Sequence, residues 1–161
     1  MESHRYLPLL KTLDSHGVEF VLVGGLAAVL QGAPIVTADL DILHRRTPDN
    51  VRRLLAALED LDAVYRLDQR RLKPTEAHLM GPGHALLATR FCDLDVLGTI
   101  FADVTFDDVA NQTLVFELDD ITVRVLELSR LIEAKEFANR PKDKAMLPAL
   151  RATLEEIQRR K

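Results

Sequence analysis

The chain has 161 residues, 47% hydrophobic and 29% charged, with a formal net charge of −4. That balance excludes a disordered chain and gives nucleic acid no global electrostatic attraction, although local basic patches remain open. The single cysteine, Cys92, excludes an intrachain disulfide and a multi-cysteine zinc site.

The length suits a single domain over residues 1–161. The opening MESHRYLPLLKTLDSHG is too polar for a signal peptide, and no apolar run reaches membrane-spanning length, so a cytoplasmic protein without membrane contact is expected. Tyr6, Leu9, Leu10 and Leu13 recur at helical spacing, which predicts an amphipathic first helix ending near Gly17. VEFVLVGG reads as a buried strand running into a glycine turn. LAAVLQG reads as a short helix closed by Gly32, with Pro34 blocking its continuation. ADLDIL is the next strand. PDNVRRLLAALEDL is a helix capped by Asp49 or Thr47, with Val51, Leu54, Leu55 and Leu58 on one face.

The stretch from Tyr65 to Gly98 mixes short apolar pieces with Pro74 and GPG, and predicts short strands joined by loops, FCDLDVLG among them. TLVFEL and ITVRVLEL flank a two-residue DD connection and predict a hairpin. A helix from Ser129 to about Asn139 follows, then RPKD, with Pro141 suited to the first turn of a last helix that Pro148 is expected to kink or split.

Chemistry concentrates at two places. In a strand, Asp39 and Asp41 point to one face while Leu40 and Ile42 point to the other. Ionised carboxylates beside a core demand a compensating cation, and oxygen ligands suit Mg²⁺ or Mn²⁺. Ahead of them, Gly24 and Gly25 end a strand at a helix start, where backbone N–H groups face outward and a phosphate meets no Cβ. CDLDVL adds Asp93 and Asp95, and a third carboxylate near the first two permits a two-metal site for in-line nucleotidyl transfer. The blander readings are a plain glycine turn and solvated aspartates; order and spacing favour the site.

VGGLAAVLQGAPIVTADLDIL resembles the signature of the DNA-polymerase-beta-type nucleotidyltransferase superfamily, filled here by Val23, Gly24, Gly25, Asp39, Leu40, Asp41 and Ile42. More narrowly, Thr37 to Asp41, the later LDVL and KEFANRPKD are similar to small bacterial nucleotidyltransferase-like proteins related to abortive-infection and toxin–antitoxin toxins. The resemblance spans about residues 17–150. It implies an α/β fold (α+β by some counts), with a mixed sheet, helices mainly on one face, a core over about 17–127 and helices over about 128–161 closing the site. It also implies Asp39, Asp41 and Asp95 as metal-binding and catalytic carboxylates, with Asp95 activating the acceptor hydroxyl. Asp93 shares its face, and sequence separates the two weakly. Gly24 and Gly25 become the phosphate turn and Lys135 a triphosphate contact, against a plain reading of Lys135 as a solvated helix lysine. Many members carry Ser at the position of Gly25, so a side-chain donor is missing here.

The function implied is Mg²⁺- or Mn²⁺-dependent transfer of NMP from an NTP to a hydroxyl on RNA or tRNA, on a protein or on a small molecule, in a toxin-type enzyme with an antitoxin partner. The rivals are a non-catalytic member that binds nucleotide or a partner, and a glycosyltransferase gripping a sugar nucleotide through Asp-x-Asp. His44, just past the aspartates, reads as a surface histidine within reach of the site, and Thr37 and Thr89 as hydroxyls near it.

Overall fold

The computed structural model describes residues 3–161. Its first helix, α1 (Ser3–Ser15), buries Tyr6, Leu9, Leu10 and Leu13 as their spacing requires. Gly17 closes it at φ +70°, letting Val18 N–H reach back to Leu13 O at 3.1 Å, a left-handed closure that glycine makes without steric cost. Strand β1 (Phe20–Val23) leads directly into α2 (Gly24–Leu30), so the helix begins on the glycines themselves.

β2 (Asp39–His44) and α3 (Pro48–Asp60) follow, with Thr47 capping α3 by accepting from Asn50 N–H at 3.3 Å. After β3 (Val64–Tyr65), a five-residue helix α4 (Glu76–Met80) stands where loops and strands were expected. One turn is too short to show helical periodicity, and its signal is local: Thr75 accepts from His78 N–H at 3.2 Å. β4 (His84–Ala88) and β5 (Asp93–Leu97) come next. The expected hairpin is β6 (Thr113–Leu118) and β7 (Ile121–Leu126), its turn closed by Asp119 at φ +58°, a left-handed conformation aspartate tolerates.

Two helices end the chain. α5 (Leu128–Ala138) stops at Asn139, which takes the left-handed cap conformation. α6 (Pro141–Arg159) runs through Pro148 as one helix, so of the kink or split expected there the split does not occur. A proline removes only one N–H donor from the ladder, and Leu147 and Leu150, buried on either side of it, hold the helix to the core.

Among the described residues seven strands form one mixed sheet in the order β3-β4-β5-β2-β1-β7-β6, and six α-helices complete an α/β architecture. β2 is central, antiparallel to β1 and parallel to β5. Leu22, Leu40, Ile42, Leu94 and Val96 are buried to 1% exposure or less, which anchors these strands to the core. Among the described residues no helix is long and apolar enough to cross a membrane.

One buried polar residue locks the turn after β2. Asn50, fully buried in α3, accepts from Glu19 N–H at 2.7 Å and donates to Glu19 O at 2.9 Å and Arg45 O at 2.8 Å. Asn50→Ala leaves all three backbone groups without that partner and should cost about 2–3 kcal/mol in urea unfolding. An unchanged midpoint would show that water replaces the amide without loss.

Candidate active site

The site forms where β1, β2 and β5 run side by side. Parallel pairing sets Asp39 beside Asp93 and Asp41 beside Asp95, so four carboxylates share one face of two adjacent strands. The alternation that turns them to this face turns Leu40 and Leu94 into the core. Neighbouring strands lie about 4.8 Å apart, which crowds like charges. Asp41 shows the result: burial first, then the adjacent Asp95 carboxyl within hydrogen-bond reach, then Asp39, push it up to about 7, with the positive charge of Lys135 pulling the other way.

Antiparallel pairing sets Val23 against Asp41, so the chain leaving β1 passes the Asp41 carboxylate at Gly24. There φ is +74°, and a Cβ would lie 2.0 Å from Asp41 Oδ2, so no side chain fits. Gly25 is held to glycine by a different neighbour. A Cβ there would meet Thr37 Oγ1 at 2.6 Å, so the Thr37 hydroxyl fills the space that a Gly25→Ser side chain would need. Thr37 is fixed in turn: its hydroxyl donates to Asp39 O at 3.1 Å, and Tyr6 of α1 donates to its carbonyl.

The turn between α5 and α6 brings a basic group to the same place. The charges of Lys135 and Arg140 both act on Asp41 or are acted on by it. Asp143, with no solvent exposure, accepts from Lys135 Nζ at 3.3 Å and from Arg140 Nε at 2.6 Å. Burial alone would raise it, but these hydrogen bonds outweigh burial and hold it down at about 2. Asp143 therefore fixes the amine that faces Asp41, besides accepting from Arg140 N–H at the start of α6. Removing it by Asp143→Asn should destabilise the protein by about 3 kcal/mol at pH 7. The folded value lies below the unfolded one, so this contribution is present above pH 4 and fades as pH falls toward 2. Chemical unfolding of both proteins at pH 7 and pH 2.5 should show the gap closing; a gap independent of pH would refute the ion-pair account.

A second cation stands on the other side. Arg66, the residue after β3, donates from Nη1 to Asp95 Oδ1 at 2.6 Å, and its Nε lies 3.8 Å from Asp93 Oδ2. Nothing periodic marks Arg66 within YRLDQRRLK, which is why sequence reasoning passed over it.

The structure thus gathers Asp39, Asp41, Asp95, Gly24 and Gly25 at one spot and carries the charge of Lys135 to it. Asp93 shares the face but is 45% exposed, against 17% for Asp95. His44 lies elsewhere, contrary to expectation: it is buried, with its ring nitrogens 2.7 Å from Leu79 O and 3.1 Å from Leu97 O. Thr89 holds the β4–β5 turn by donating to Cys92 O at 2.6 Å.

The donor set fits a hard divalent cation in its chemistry: carboxylate oxygens only, two of them close enough to compete for a proton. Among the described residues no three His, Cys, Asp or Glu side chains converge closely enough to hold a metal ion by themselves. Two protein carboxylates completed by substrate phosphates are what such a cation commonly uses.

None of the curated proteins matches this chain in sequence. A crystal structure of a candidate nucleotidyltransferase from Thermotoga maritima is similar over 97% of this chain and 96% of that one, with a TM-score of 0.61 and 19% identity, a likeness of fold. The family of aminoglycoside-2″-adenylyltransferases matches residues 6–126, which take in the glycine turn, both aspartate strands and the hairpin. With that match over about three quarters of its length, on a sheet that aligns the aspartates of β2 and β5, the chain belongs to the aminoglycoside-2″-adenylyltransferase family and has the nucleotidyltransferase fold.

Proposed function

We propose that the protein is a Mg²⁺- or Mn²⁺-dependent enzyme that transfers NMP from an NTP to a hydroxyl acceptor. The observation that carries this reading is the register of β2 on β5, which sets Asp95 beside Asp41 on the face where Gly24 admits no side chain. A bound divalent cation would neutralise charge on the phosphates in flight and on the attacking and leaving oxygens. Asp39, Asp41 and Asp95 are the residues to hold it, Asp41 and Asp95 lying side by side in register. In this reading Asp95 also accepts the acceptor's proton, and Lys135, steadied by Asp143, meets the triphosphate as a point charge. Gly24 and Gly25 are the residues whose backbone would meet a phosphate, and the Thr37 hydroxyl fills the space that a side chain at Gly25 would need.

The acceptor follows from the relatives only as a class. The family's name points to a hydroxyl on a small molecule, while the toxin-like segments point to RNA or tRNA, or to a protein, with an antitoxin as partner. Incubation with each labelled NTP and Mg²⁺, with aminoglycosides, total RNA, protein and metabolites offered separately, should label one of these pools. Absence of NTP binding at millimolar Mg²⁺ would end the reading.

A second reading, a nucleotide binder without turnover, is favoured by one observation: Arg66 engages Asp95, the carboxylate that transfer requires free.

A further inference from the structure

Arg66 is built into the sheet. Its N–H donates to Leu86 O at 3.0 Å, and Nη1 donates to Leu87 O at 3.2 Å as well as to Asp95. Leu86 is the β4 residue paired with Asp95 and Leu87 the one paired with Leu94, so β4 holds the guanidinium alongside the acidic strand. The side chain is 20% exposed. A guanidinium whose Nη1 donates to a carbonyl and a carboxylate at once, with Nε toward Asp93, is positioned, unlike the surface arginines of the same loop, such as Arg70, which pairs with Asp68 two residues away.

Its place relative to the aspartates is what matters. The face holds two register pairs, Asp39 with Asp93 and Asp41 with Asp95. Lys135 and the Gly24 turn act on the Asp41 side, whereas Arg66 acts on the Asp95 side, with Asp93 within 3.8 Å. A cation shared by Asp41 and Asp95 would draw on the carboxylate that Arg66 already engages, and would stand close to the guanidinium charge. The two positive groups exclude one another at Asp95.

Resting on the metal-dependent reading above, we propose that Arg66 is an internal competitor for Asp95, taking the place of a divalent cation there and yielding it when the cation binds. Arg66 acts through Asp95 and is therefore a positioning residue. In consequence the protein holds a divalent cation weakly by itself, and phosphate oxygens of the nucleotide supply the extra ligands that tip the exchange. Displacement leaves the guanidinium beside the site with its Leu87 anchor intact.

The test is Mn²⁺ binding by electron paramagnetic resonance, with metal alone and with a non-hydrolysable NTP analogue, in wild type, Arg66→Gln, Arg66→Lys and Arg90→Gln. Arg90 stacks on the Phe91 ring, 4.8 Å from its centroid, and serves as the control for a change of overall charge. Arg66→Gln should bind Mn²⁺ on the order of tenfold more tightly than wild type without nucleotide, and Arg90→Gln within about twofold. Arg66→Lys keeps the charge but has one nitrogen where arginine turns Nη1 to Asp95 and Nε to Asp93, so its affinity should fall between the two. It also stands in if Arg66→Gln does not fold. Melting gives a second readout: without metal Arg66→Gln should melt below wild type, and Mn²⁺ should raise it by more. Equal or weaker Mn²⁺ binding in the Arg66 variants, or an equal gain in Arg90→Gln, overturns the competitor role. If wild type meanwhile binds Mn²⁺ with the analogue, the transferase reading stands without it. If no variant binds Mn²⁺ even with the analogue, both fall.

Discussion

Replacing Asp41 with asparagine should abolish nucleotidyl transfer and also make the metal-free protein harder to unfold at pH 8. The two effects share a cause. Asp41 sits half-buried against Asp95 and Asp39, and its carboxyl is pushed from an ordinary 3.8 up to about 7. In the folded protein it thus keeps its proton between about pH 4 and pH 7, where the unfolded chain has lost it. Stability must fall as pH rises through that window, because the native state binds the extra proton. Above pH 7 the full penalty of holding an ionised Asp41 applies, on the order of 4 kcal/mol. Asparagine keeps the shape and carries no charge, so Asp41→Asn escapes the penalty at pH 8 and gains nothing at pH 4. It also cannot ligate a hard cation as a carboxylate does, so transfer should drop by several orders of magnitude. Urea unfolding of both proteins without metal at pH 4.5 and pH 8, beside a transfer assay, checks both halves. A variant less stable than wild type at pH 8 would show that Asp41 is not under charge strain.

Much of this was legible in the chain because alternation and glycine placement are direct records of geometry. Leu40 and Ile42 had to face the core, which fixed where Asp39 and Asp41 point, and Gly24 before a helix marked a close approach. The approaching atoms themselves were not legible. That Gly24 yields to Asp41 depends on the pairing of β1 with β2, and that Gly25 yields to Thr37 on the path of the chain into β2. The same holds for Arg66, whose partners lie on β4 and β5, and for His44, whose exposure depended on the distant carbonyls of Leu79 and Leu97. Asp143 closes the start of α6 locally by accepting from Arg140 N–H, while its larger role of anchoring Lys135 needed the fold of α5 onto α6. Pro148 misled because a rule about isolated helices was applied to one that the core holds on both sides. Local chemistry writes itself into sequence; partners brought from far along the chain do not.

The largest expected effect belongs to Asp95, and it separates an enzyme from a nucleotide binder. A binder has use for the glycine turn and for Asp39 and Asp41, but none for a base aimed at an incoming hydroxyl. Register places Asp95 beside Asp41 and Asp93 beside Asp39, and Asp95 is the more enclosed of the two. Asp95→Ala should therefore cut transfer by about three orders of magnitude or more while NTP affinity with Mg²⁺ changes little, since Asp39 and Asp41 remain. Asp93→Ala, at the exposed end of the strand, should cost less than tenfold in rate. Arg66 complicates the comparison in a useful way: Asp95→Ala also strips the guanidinium of its partner and leaves a positive charge beside the nucleotide, which favours polyphosphate binding. Nucleotide affinity that holds or rises as transfer collapses is thus the signature of Asp95 as the base. A parallel fall in affinity and rate would make Asp95 a binding residue. A dead Asp93→Ala with an active Asp95→Ala would move the base two residues back along β5.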